Sequence, residues 1–315
     1  MSKVLITGGA GNIGSFIADQ CLELGHEVVV VDNFYNGKFR NIESHLSAKR
    51  IELETIDIGS YEMLRYAFDR HKPDFVSHQA SLMIMDSDKF PEKAIDTNIK
   101  GTFNIIQACY EFGIKKLTYG SSASVYGNPE SVPVTEEHPF NNRTLYGATK
   151  IAKEALMNSW AYSHNVPFVG FRYFNIYSER QGLGAFYTQV FQKWIHAIYE
   201  GKEITMYGDG EQTMDLVHSS DAARANILAM FNENVKNEFY NVGTGIETSL
   251  KQVLKLIEKH LNKKAKVKHI DSDPHLVKRR CASIDKIRND LGFSPQINVE
   301  EGTVKYIKYL LEGKV

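Results

Sequence analysis

The fold is decided by the stretch Lys3-Val4-Leu5-Ile6-Thr7-Gly8-Gly9-Ala10-Gly11-Asn12-Ile13-Gly14, in which a short β-type run passes directly into a glycine loop. A helical pattern follows from Ser15 to Leu24, and a second β-type run, Glu27-Val28-Val29-Val30-Val31-Asp32, comes after it. A strand, a tight turn, a helix and a second strand in this order predict a βαβ unit with parallel strands and a right-handed crossover.

The glycine spacing of this loop is typical of a turn that binds a dinucleotide. Gly8 would make the tight turn, Gly11 would let the backbone approach a pyrophosphate, and Gly14 would let the helix pack close to the sheet. The N-terminus of the helix would present free N–H groups to the phosphates. We therefore expect Gly8, Gly11, Asn12, Ile13 and Gly14 to bind the cofactor. The alternative is a glycine-rich loop without a ligand.

The second β-type run ends in an acid, Asp32, about 20 residues beyond the loop, where a carboxylate that binds the adenosine ribose is expected. Such a carboxylate accepts hydrogen bonds from the ribose hydroxyls and repels the 2′-phosphate of NADP, so we expect NAD, with Asn33 beside it. Asp57 follows the next β-type run and is a candidate for binding the adenine amino group. Alternatively it caps a helix, a role that Ser60 could also fill.

A tyrosine and a lysine, Tyr146 and Lys150, stand four residues apart and would share one face of a helix. A tyrosine titrates near pH ~10, and an adjacent ammonium favours its phenolate. A phenolate of this kind can take a proton from an alcohol and return it. The alternative is a surface tyrosine packed on a lysine stem. The hydroxyl-rich run from Ser121 to Gly127 could orient a substrate hydroxyl, or it is an ordinary serine-rich turn.

Together these features resemble the extended short-chain dehydrogenase/reductase superfamily, in its nucleotide-sugar epimerase/dehydratase branch. The resemblance runs almost end to end, and it implies a Rossmann domain with tightly bound NAD and a smaller C-terminal domain that holds a nucleoside-diphosphate sugar. The motifs that carry it are Thr7-Gly8-Gly9-Ala10-Gly11-Asn12-Ile13-Gly14, Asp57-Ile58, His78-Gln79-Ala80-Ser81, Asn98-Ile99-Lys100-Gly101-Thr102, Ser121 to Gly127, Tyr146 to Lys150, Arg172-Tyr173-Phe174-Asn175-Ile176-Tyr177, Gly208-Asp209-Gly210-Glu211-Gln212-Thr213-Met214-Asp215 and Asn241-Val242-Gly243-Thr244-Gly245.

The resemblance also implies roles for single residues. Tyr146 would act as the base, Lys150 would support it and bond the nicotinamide ribose, and Ser122 would share a hydrogen bond with the reacting oxygen. The run Lys278-Arg279-Arg280 could clamp a diphosphate, since arginine forks match phosphate oxygens, or it is a solvated basic patch. The further cofactor contacts would be Asp32, Asn33, Asp57, Ile58, Ala80, Asn98, Ser121 and Tyr173, and the further substrate contacts would be Ser124, Asn175, Arg279 and Arg280.

The reaction implied by the resemblance is inversion at C4 of a UDP-hexose or derivative through a transient 4-keto sugar, as in UDP-glucose 4-epimerases. A 4,6-dehydratase of the family carries an Asp-Glu pair directly after the position of Ser122, where this chain has Ala123-Ser124. The enzymatic alternative is a nucleotide-sugar 4-ketoreductase or another oxidoreductase of the family, although Asp32 disfavours NADPH. The non-enzymatic alternative is an NAD-binding sensor or scaffold.

Three positions depart from the family pattern. Met214 stands where many sugar epimerases have an arginine on the diphosphate, and Met83 stands where galactose-type epimerases often have a lysine near the nicotinamide ribose. Arg280 falls near a position that gates substrate size. Arg279 or Arg280 could replace the missing arginine; alternatively, an arginine in the sugar pocket could favour an acidic sugar.

Composition narrows the class of protein. The chain has 315 residues, 43% of them hydrophobic, enough for one large core or two modest domains. A net charge of −1 does not indicate a nucleic-acid partner, and no apolar run reaches the roughly 18 residues of a membrane span. The N-terminus enters a β-type run at once, which does not indicate a signal peptide. The widely spaced Cys21, Cys109 and Cys281 indicate reduced thiols in a cytoplasm.

No cluster of cysteine and histidine predicts a metal site. The segment Asp271-Ser272-Asp273-Pro274-His275 lacks the ligand spacing of a calcium or zinc loop, so we expect a turn there.

β-type runs and helical stretches alternate along the chain, which predicts an α/β fold with a doubly wound parallel sheet of the Rossmann type and a smaller C-terminal α/β lobe. We expect the NAD-binding domain to span residues 1–177 plus about 214–245, and the nucleotide-sugar lobe to span about 178–213 plus 246–315. The expected strands are Lys3–Thr7, Val28–Asp32, Ile51–Ile56, Phe75–His78, Lys116–Gly120, Phe168–Tyr173, Glu203–Met206 and Glu238–Val242, and a long helix is expected over Ala185–Glu200.

A homodimer is a further implication of the resemblance. Helices Asn98–Glu111 and Leu145–Ser163 would pair across a two-fold axis as a four-helix bundle. The alternative is that their apolar residues face the chain's own sheet. The residues concerned are Phe103, Ile106, Ala152, Leu156 and Trp160.

Overall fold

The computed structural model describes residues 1–181, 189–271 and 277–313. The strands of this part of the chain are β1 (Lys3–Thr7), β2 (Glu27–Val31), β3 (Ile51–Glu54), β4 (Phe75–His78), β5 (Lys116–Ser122), β6 (Phe168–Tyr173), β7 (Asn175–Tyr177), β8 (Glu203–Tyr207), β9 (Thr213–His218), β10 (Glu238–Val242), β11 (Glu247–Ser249), β12 (Lys266–Ile270) and β13 (Arg279–Arg280). Its α-helices are α1 (Gly14–Glu23), α2 (Glu43–Ser47), α3 (Tyr61–His71), α4 (Ile84–Lys89), α5 (Pro91–Ile95), α6 (Gly101–Glu111), α7 (Leu145–His164), α8 (Gln189–Tyr199), α9 (Ser219–Phe231), α10 (Leu250–Leu261), α11 (Asp285–Leu291) and α12 (Val299–Leu311).

The main sheet has seven strands in the order β10-β6-β5-β4-β1-β2-β3, and every neighbouring pair is parallel. Thr7, the last residue of β1, lies between Val31 of β2 and His78 of β4. From β1 the chain first adds β2 and β3 on one side of β1 and then β4, β5 and β6 on the other side. The strand order therefore reverses between β1 and β4. A crevice opens at such a switch point, beyond the carboxyl ends of the strands. The predicted α/β fold with a Rossmann-type, doubly wound sheet is confirmed.

Helices cover both faces of this sheet because successive strand residues point to opposite sides. Leu5 of β1 packs in a core cluster with residues of α3, α6 and α7. Val4 and Ile6, its neighbours in sequence, pack in a second cluster with residues of α1 and α9. All three side chains are fully buried, as the uninterrupted apolar run of β1 indicates.

The described residues form two smaller sheets besides the main one. One has the order β11-β9-β13, with β7 pairing β9 as well, and the other joins β12 to β8. Strand β10 returns to the main sheet beside β6, as expected. The limits of the two domains at about residues 178, 214 and 246 stay a prediction. Of the expected helix Ala185–Glu200, residues 185–188 lie outside the described residues, as do residues 272–275 of the expected turn Asp271–His275.

Two further expectations concern the cysteines and membrane-spanning segments. Cys21, Cys109 and Cys281 are buried and form no disulfide. Among the helices of the described ranges, none is long and apolar enough to cross a membrane.

Candidate functional site

A cavity opens at the carboxyl ends of the parallel strands, across the switch point of the main sheet. Its lining comes from the residues that directly follow β1, β2 and β4 and from the last residues of β5 and β6. The N-terminal part of α7 closes one side. The residues expected at the site that line this cavity are Gly8, Gly11, Asn12, Ile13, Gly14, Asp32, Asn33, Ile58, Ala80, Ser121, Ser122, Ser124, Tyr146, Lys150, Tyr173, Asn175 and Arg280.

The glycine loop is packed so closely that side chains do not fit at its key positions. A Cβ on Gly14 would lie 2.3 Å from the carbonyl oxygen of Gly8, and one on Gly11 would lie 3.0 Å from the same oxygen. Gly8 itself has a φ of +66°, and a Cβ there would lie 2.7 Å from the backbone nitrogen of Ala80. The loop therefore brings bare backbone to the cavity wall.

Helix α1 begins at the end of this loop, and no side chain caps its N-terminus. The first N–H groups of a helix have no partner within the helix, and together with the helix dipole they favour an anion. A close-packed glycine turn that leads into an uncapped helix is the donor set that a pyrophosphate needs. This part of the cavity fits the phosphates of a dinucleotide.

The carboxylate of Asp32 lies beside the loop. Its two oxygens accept hydrogen bonds from the backbone N–H of Ala10 at 2.9 Å and of Phe34 at 2.8 Å. Burial raises the pKa of the Asp32 carboxyl, whereas these two hydrogen bonds favour the charged form. A Cβ on Gly37 would lie 2.6 Å from a carboxylate oxygen, so the following loop approaches Asp32 without a side chain. The position and chemistry of Asp32 fit an adenosine ribose.

Asp57 does not line the cavity. Its carboxylate accepts hydrogen bonds from the side chain of Asn33 at 2.9 Å and from the backbone N–H of Gly59 at 2.8 Å. Its bond to Asn33 joins it to a residue of the cavity wall, because Asn33 lies in the lining. Ser60 is the N-cap residue of α3, but its side chain makes no capping hydrogen bond.

Asn98 also lies behind the cavity wall. Its side chain accepts from the backbone N–H of Leu82 at 2.7 Å and from the hydroxyl of Ser81 at 3.0 Å, and it donates to the hydroxyl of Thr149 at 3.0 Å. Thr149 precedes Lys150 on α7, whose ammonium donates to the Ser81 hydroxyl at 2.9 Å. Asn98 therefore fixes the loop after β4 against α7 and holds Ser81 where Lys150 can reach it.

Tyr146 and Lys150 lie one turn apart on α7, and both are buried in the cavity wall. The Lys150 ammonium lies 5.2 Å from the centre of the Tyr146 ring and donates to the carbonyl of Gly120 at 3.2 Å. The helix begins with Thr144 as its N-cap, whose hydroxyl accepts from the backbone N–H of Gly147 at 3.1 Å. This cap fixes the turn that carries Tyr146.

Burial changes the acidity of this pair. It raises the pKa of Tyr146 to about 12, and the side chain of Ser122 acts against this rise. It lowers the pKa of Lys150 to about 7, although the carboxylate of Glu154 acts in the opposite direction. From the sequence we expect the adjacent ammonium of Lys150 to favour the Tyr146 phenolate, whereas burial raises the pKa of Tyr146 in this structure. The physical reason is that burial penalises a phenolate and an ammonium alike.

A buried ion pair supports the wall beneath Lys150. Arg172 of β6 makes a forked contact with the carboxylate of Glu154 on α7, with nitrogen–oxygen distances of 3.1 and 2.8 Å. The Ser121 hydroxyl donates to the same carboxylate at 2.5 Å. Ser121 thus joins the end of β5 to α7, and the next residue, Ser122, accepts a hydrogen bond from the backbone N–H of Ser124 at 3.2 Å.

The two arginines of β13 lie in different surroundings. Arg280 lines the cavity and donates to the carbonyl of Gly127 at 2.8 Å. Arg279 is exposed and pairs with Glu247, with its Nε 3.0 Å from a carboxylate oxygen. Side chains of neighbouring residues in a strand point to opposite faces, so the two cannot share one site. The structure therefore does not bring Arg279 together with the other expected substrate contacts.

Several residues of the lining were not predicted from the sequence. Gln79 and Ser81 belong to a motif that signalled the site, but they were not singled out. Tyr35 and Lys93 carried no signal, because they come from separate segments; the Lys93 ammonium lies 3.6 Å from the centre of the Tyr35 ring. Gln181 also lines the cavity. No group of three or more His, Cys, Asp and Glu side chains in the described segments is arranged to hold a metal ion.

Comparisons with known proteins agree with this geometry. Residues 4–243 match the model of the NAD dependent epimerase/dehydratase family. The chain is 32% identical to a UDP-N-acetyl-alpha-D-glucosaminuronate decarboxylase of Bacillus cytotoxicus, over 98% of each chain. It is 30% identical to the UDP-glucose 4-epimerase of Bacillus subtilis, over 95% of this chain and 94% of that one. The crystal structure of Thermus thermophilus UDP-glucose 4-epimerase in complex with NAD superimposes with a TM-score of 0.90 and 30% identity, over 99% of this chain and 100% of that one. The chain belongs to the NAD-dependent epimerase/dehydratase family.

Proposed function

We propose that this protein is an isomerase that inverts C4 of a UDP-sugar with NAD as a resident cofactor. The observation that carries the proposal is that Tyr146, Lys150 and Ser122 line the same cavity as the glycine loop and Asp32. A relative that acts on UDP-glucose as a 4-epimerase and a solved 4-epimerase that holds NAD support it.

The residues that would hold NAD follow from the cavity wall. The backbone of the glycine loop and the start of α1 would bind the pyrophosphate, and Asp32 would bind the adenosine ribose. Asn33, Ile58, Ala80 and Tyr173 would form the rest of the wall around the cofactor, with Asp57 and Asn98 supporting it from behind. When bound, oxidised NAD supplies reversible hydride transfer at C4 of the sugar and a positive charge that favours the Tyr146 phenolate.

Tyr146 would remove the proton from the 4-hydroxyl and return it to the same oxygen after the sugar has presented its other face. Ser122 would hydrogen-bond this oxygen and direct it to the phenol, and Ser124 and Asn175 would form the adjoining wall. Lys150, fixed by Ser81, would add positive charge next to the phenol.

The family alternatives need groups that are placed differently. A 4,6-dehydratase needs an extra acid and base directly after Ser122, and this chain has Ala123, which is buried, followed by the hydroxyl of Ser124. A reductase that uses NADPH needs a site for the 2′-phosphate, and the carboxylate of Asp32 repels that group. These two features favour the epimerase.

A homodimer through α6 and α7 belongs to the same proposal. Phe103 and Trp160 form an edge-to-face pair with centroids 5.2 Å apart, and Trp160 stacks on His164 at 4.0 Å. Tyr110, half-exposed, lies beside His164 at 4.8 Å. Ile106 is buried in the chain's own core, and Leu156 and Trp160 pack against the same core, as the alternative expected. The remaining aromatic surface fits a two-fold contact between helix pairs.

The buried free thiols of Cys21, Cys109 and Cys281 fit a reducing compartment such as the cytoplasm.

The proposal is tested with protein as purified. Bound NAD is quantified after denaturation, and UDP-glucose, UDP-N-acetylglucosamine and UDP-glucuronate are offered in turn. We expect one bound NAD per chain and a C4-inverted product, identified by NMR, without net release of NADH. A protein that holds NAD and inverts none of the three sugars would favour the sensor or scaffold, and one NADH released per product would favour an oxidoreductase.

A further inference from the structure

Arg280 brings a permanent positive charge to one part of the cavity wall. A guanidinium stays protonated at every pH that a protein tolerates. Its neighbour Arg279 points to the other face of β13 and pairs with Glu247. The strand thus contributes one cation to the cavity and one to the outer surface.

A short chain of hydrogen bonds places Arg280 next to the residues that would handle the sugar. The guanidinium donates to the carbonyl of Gly127 at 2.8 Å, and the N–H of Gly127 donates to the carbonyl of Ser124 at 3.2 Å. The N–H of Ser124 in turn donates to the hydroxyl of Ser122 at 3.2 Å, and Ser122 lines the cavity together with Tyr146. Arg280 is therefore held against the tight turn that carries the serines.

The tight turn from Ser124 to Gly127 is closely packed against its neighbours. A Cβ on Gly127, whose φ is +59°, would lie 2.0 Å from the carbonyl oxygen of Asn141. Gly147, next to Tyr146 on α7, would place a Cβ 2.9 Å from the carbonyl oxygen of Ser124. Because the turn is packed on both sides, the acceptor that positions Arg280 is fixed relative to Tyr146.

Charge is distributed unevenly along the wall. The carboxylate of Asp32 lies beside the glycine loop, where it is bonded to Ala10 and Phe34. The cation of Arg280 lies on the side of the serine turn, and the amines of Lys150 and Lys93 line the wall as well. A ligand complementary to this pattern carries an anionic group close to its reacting hydroxyl.

We propose that Arg280 makes this protein selective for a nucleoside-diphosphate sugar whose hexose carries a carboxylate. The inference rests on the proposed function, since it assumes that the sugar lies beside Ser122 and Tyr146. A guanidinium fork matches a carboxylate with two parallel hydrogen bonds, which adds geometric selectivity to the charge. A neutral hexose offers the guanidinium no carboxylate to bond in this way.

The diphosphate of the same ligand is the other anion within the substrate. Arg280 pairs in register with Met214 on β9, so the two residues stand side by side on neighbouring strands. If Arg280 bound the diphosphate, its loss would weaken every nucleoside diphosphate equally. If it binds a sugar carboxylate, only the acidic sugar is affected, and three ligands separate the two cases.

Binding of UDP, UDP-glucose and UDP-glucuronate to the NAD-loaded protein is measured by calorimetry for the wild type and for Arg280→Ser. We expect the wild type to bind UDP-glucuronate at least about 10-fold more tightly than UDP-glucose, as one charge-assisted fork allows. Arg280→Ser should lose about 10- to 100-fold for UDP-glucuronate and less than about 3-fold for the other two ligands. Arg280→Lys keeps the charge without the fork, so its affinity for UDP-glucuronate should lie between those of the wild type and Arg280→Ser.

Arg279→Ser is the matched control, because it removes the same charge from the next residue on the opposite face; it should bind all three ligands as the wild type does. A wild type that prefers UDP-glucose would overturn the inference without any variant, as would equal losses for all three ligands in Arg280→Ser. Turnover is recorded separately. Inversion of UDP-glucose only would leave the proposed function standing and refute the selectivity, whereas a carboxylate preference in binding without inversion of any sugar would refute the proposed function alone.

Discussion

Replacing Lys150 with methionine should change the pH dependence of stability, because the ammonium of this residue is almost entirely buried. The folded protein lowers the pKa of Lys150 from its usual 10.5 to about 7, chiefly by burial. Below pH ~7 the lysine is charged in both states, and the folded state bears the full cost of burying the charge. At about 1.4 kcal/mol for each pH unit between the two pKa values, that cost is at most about 5 kcal/mol.

The free energy of unfolding depends on pH through the number of protons that each state binds. Between pH ~7 and ~10 the unfolded chain keeps the Lys150 proton and the folded chain releases it, so the unfolded state binds more protons. The free energy of unfolding of the wild type must then rise with pH in this window, and the penalty disappears above pH ~10. From pH ~7 to pH ~9 the wild type should gain about 2 kcal/mol relative to Lys150→Met. The buried Lys153 remains in both proteins, and the charge of Lys150 adds to the burial that lowers its pKa in the wild type.

Urea unfolding of both proteins at about pH 7 and about pH 9, after bound dinucleotide has been removed, measures this difference. Lys255→Met, which replaces an exposed lysine on α10, is the control and should show the pH dependence of the wild type. A wild type that gains no stability relative to Lys150→Met between about pH 7 and about pH 9 would refute the account of Lys150 as a lysine whose pKa is lowered by burial.

Three further changes test the site. Tyr146→Phe should lower turnover by at least ~10² and leave folding and NAD content unchanged, whereas Tyr162→Phe, a 92% exposed tyrosine of the same helix, should behave as the wild type. Gly14→Ala places a Cβ 2.3 Å from a backbone oxygen, so it should cost about 1–3 kcal/mol of stability and lower the bound NAD measured after purification. Lys93→Ala removes the contact with the Tyr35 ring at the cavity wall, worth about 0.5–1 kcal/mol, and should speed NAD release about two- to five-fold in a stopped-flow displacement assay; an unchanged rate would remove this contact from cofactor retention.

Local sequence patterns were sufficient for the framework of the molecule. The strands Lys3–Thr7, Phe75–His78, Phe168–Tyr173 and Glu238–Val242 have the predicted bounds, and other predicted strands differ by one or two residues at their ends. The glycine loop was recognisable because close backbone packing tolerates only glycine at Gly14. Tyr146 and Lys150 were recognisable because helical spacing alone puts them on one face.

Contacts between distant segments were not predictable in the same way. The role of Asn98 depends on Ser81 and Thr149, which are separated from it by 17 and 51 residues. Which of Arg279 and Arg280 faces the cavity depends on the register of a two-residue strand against β9.

The amino-acid sequence by itself determined the parallel α/β framework, the glycine turn and the pairing of a phenol with an amine on one helix. These features arise within a few residues, where backbone sterics and side-chain period decide the outcome. Only the tertiary structure decided that one arginine of an adjacent pair enters the cavity and that the pKa of Tyr146 rises instead of falling. Both results depend on how much water the folded chain removes from each side chain, and that quantity is set by residues far away in sequence.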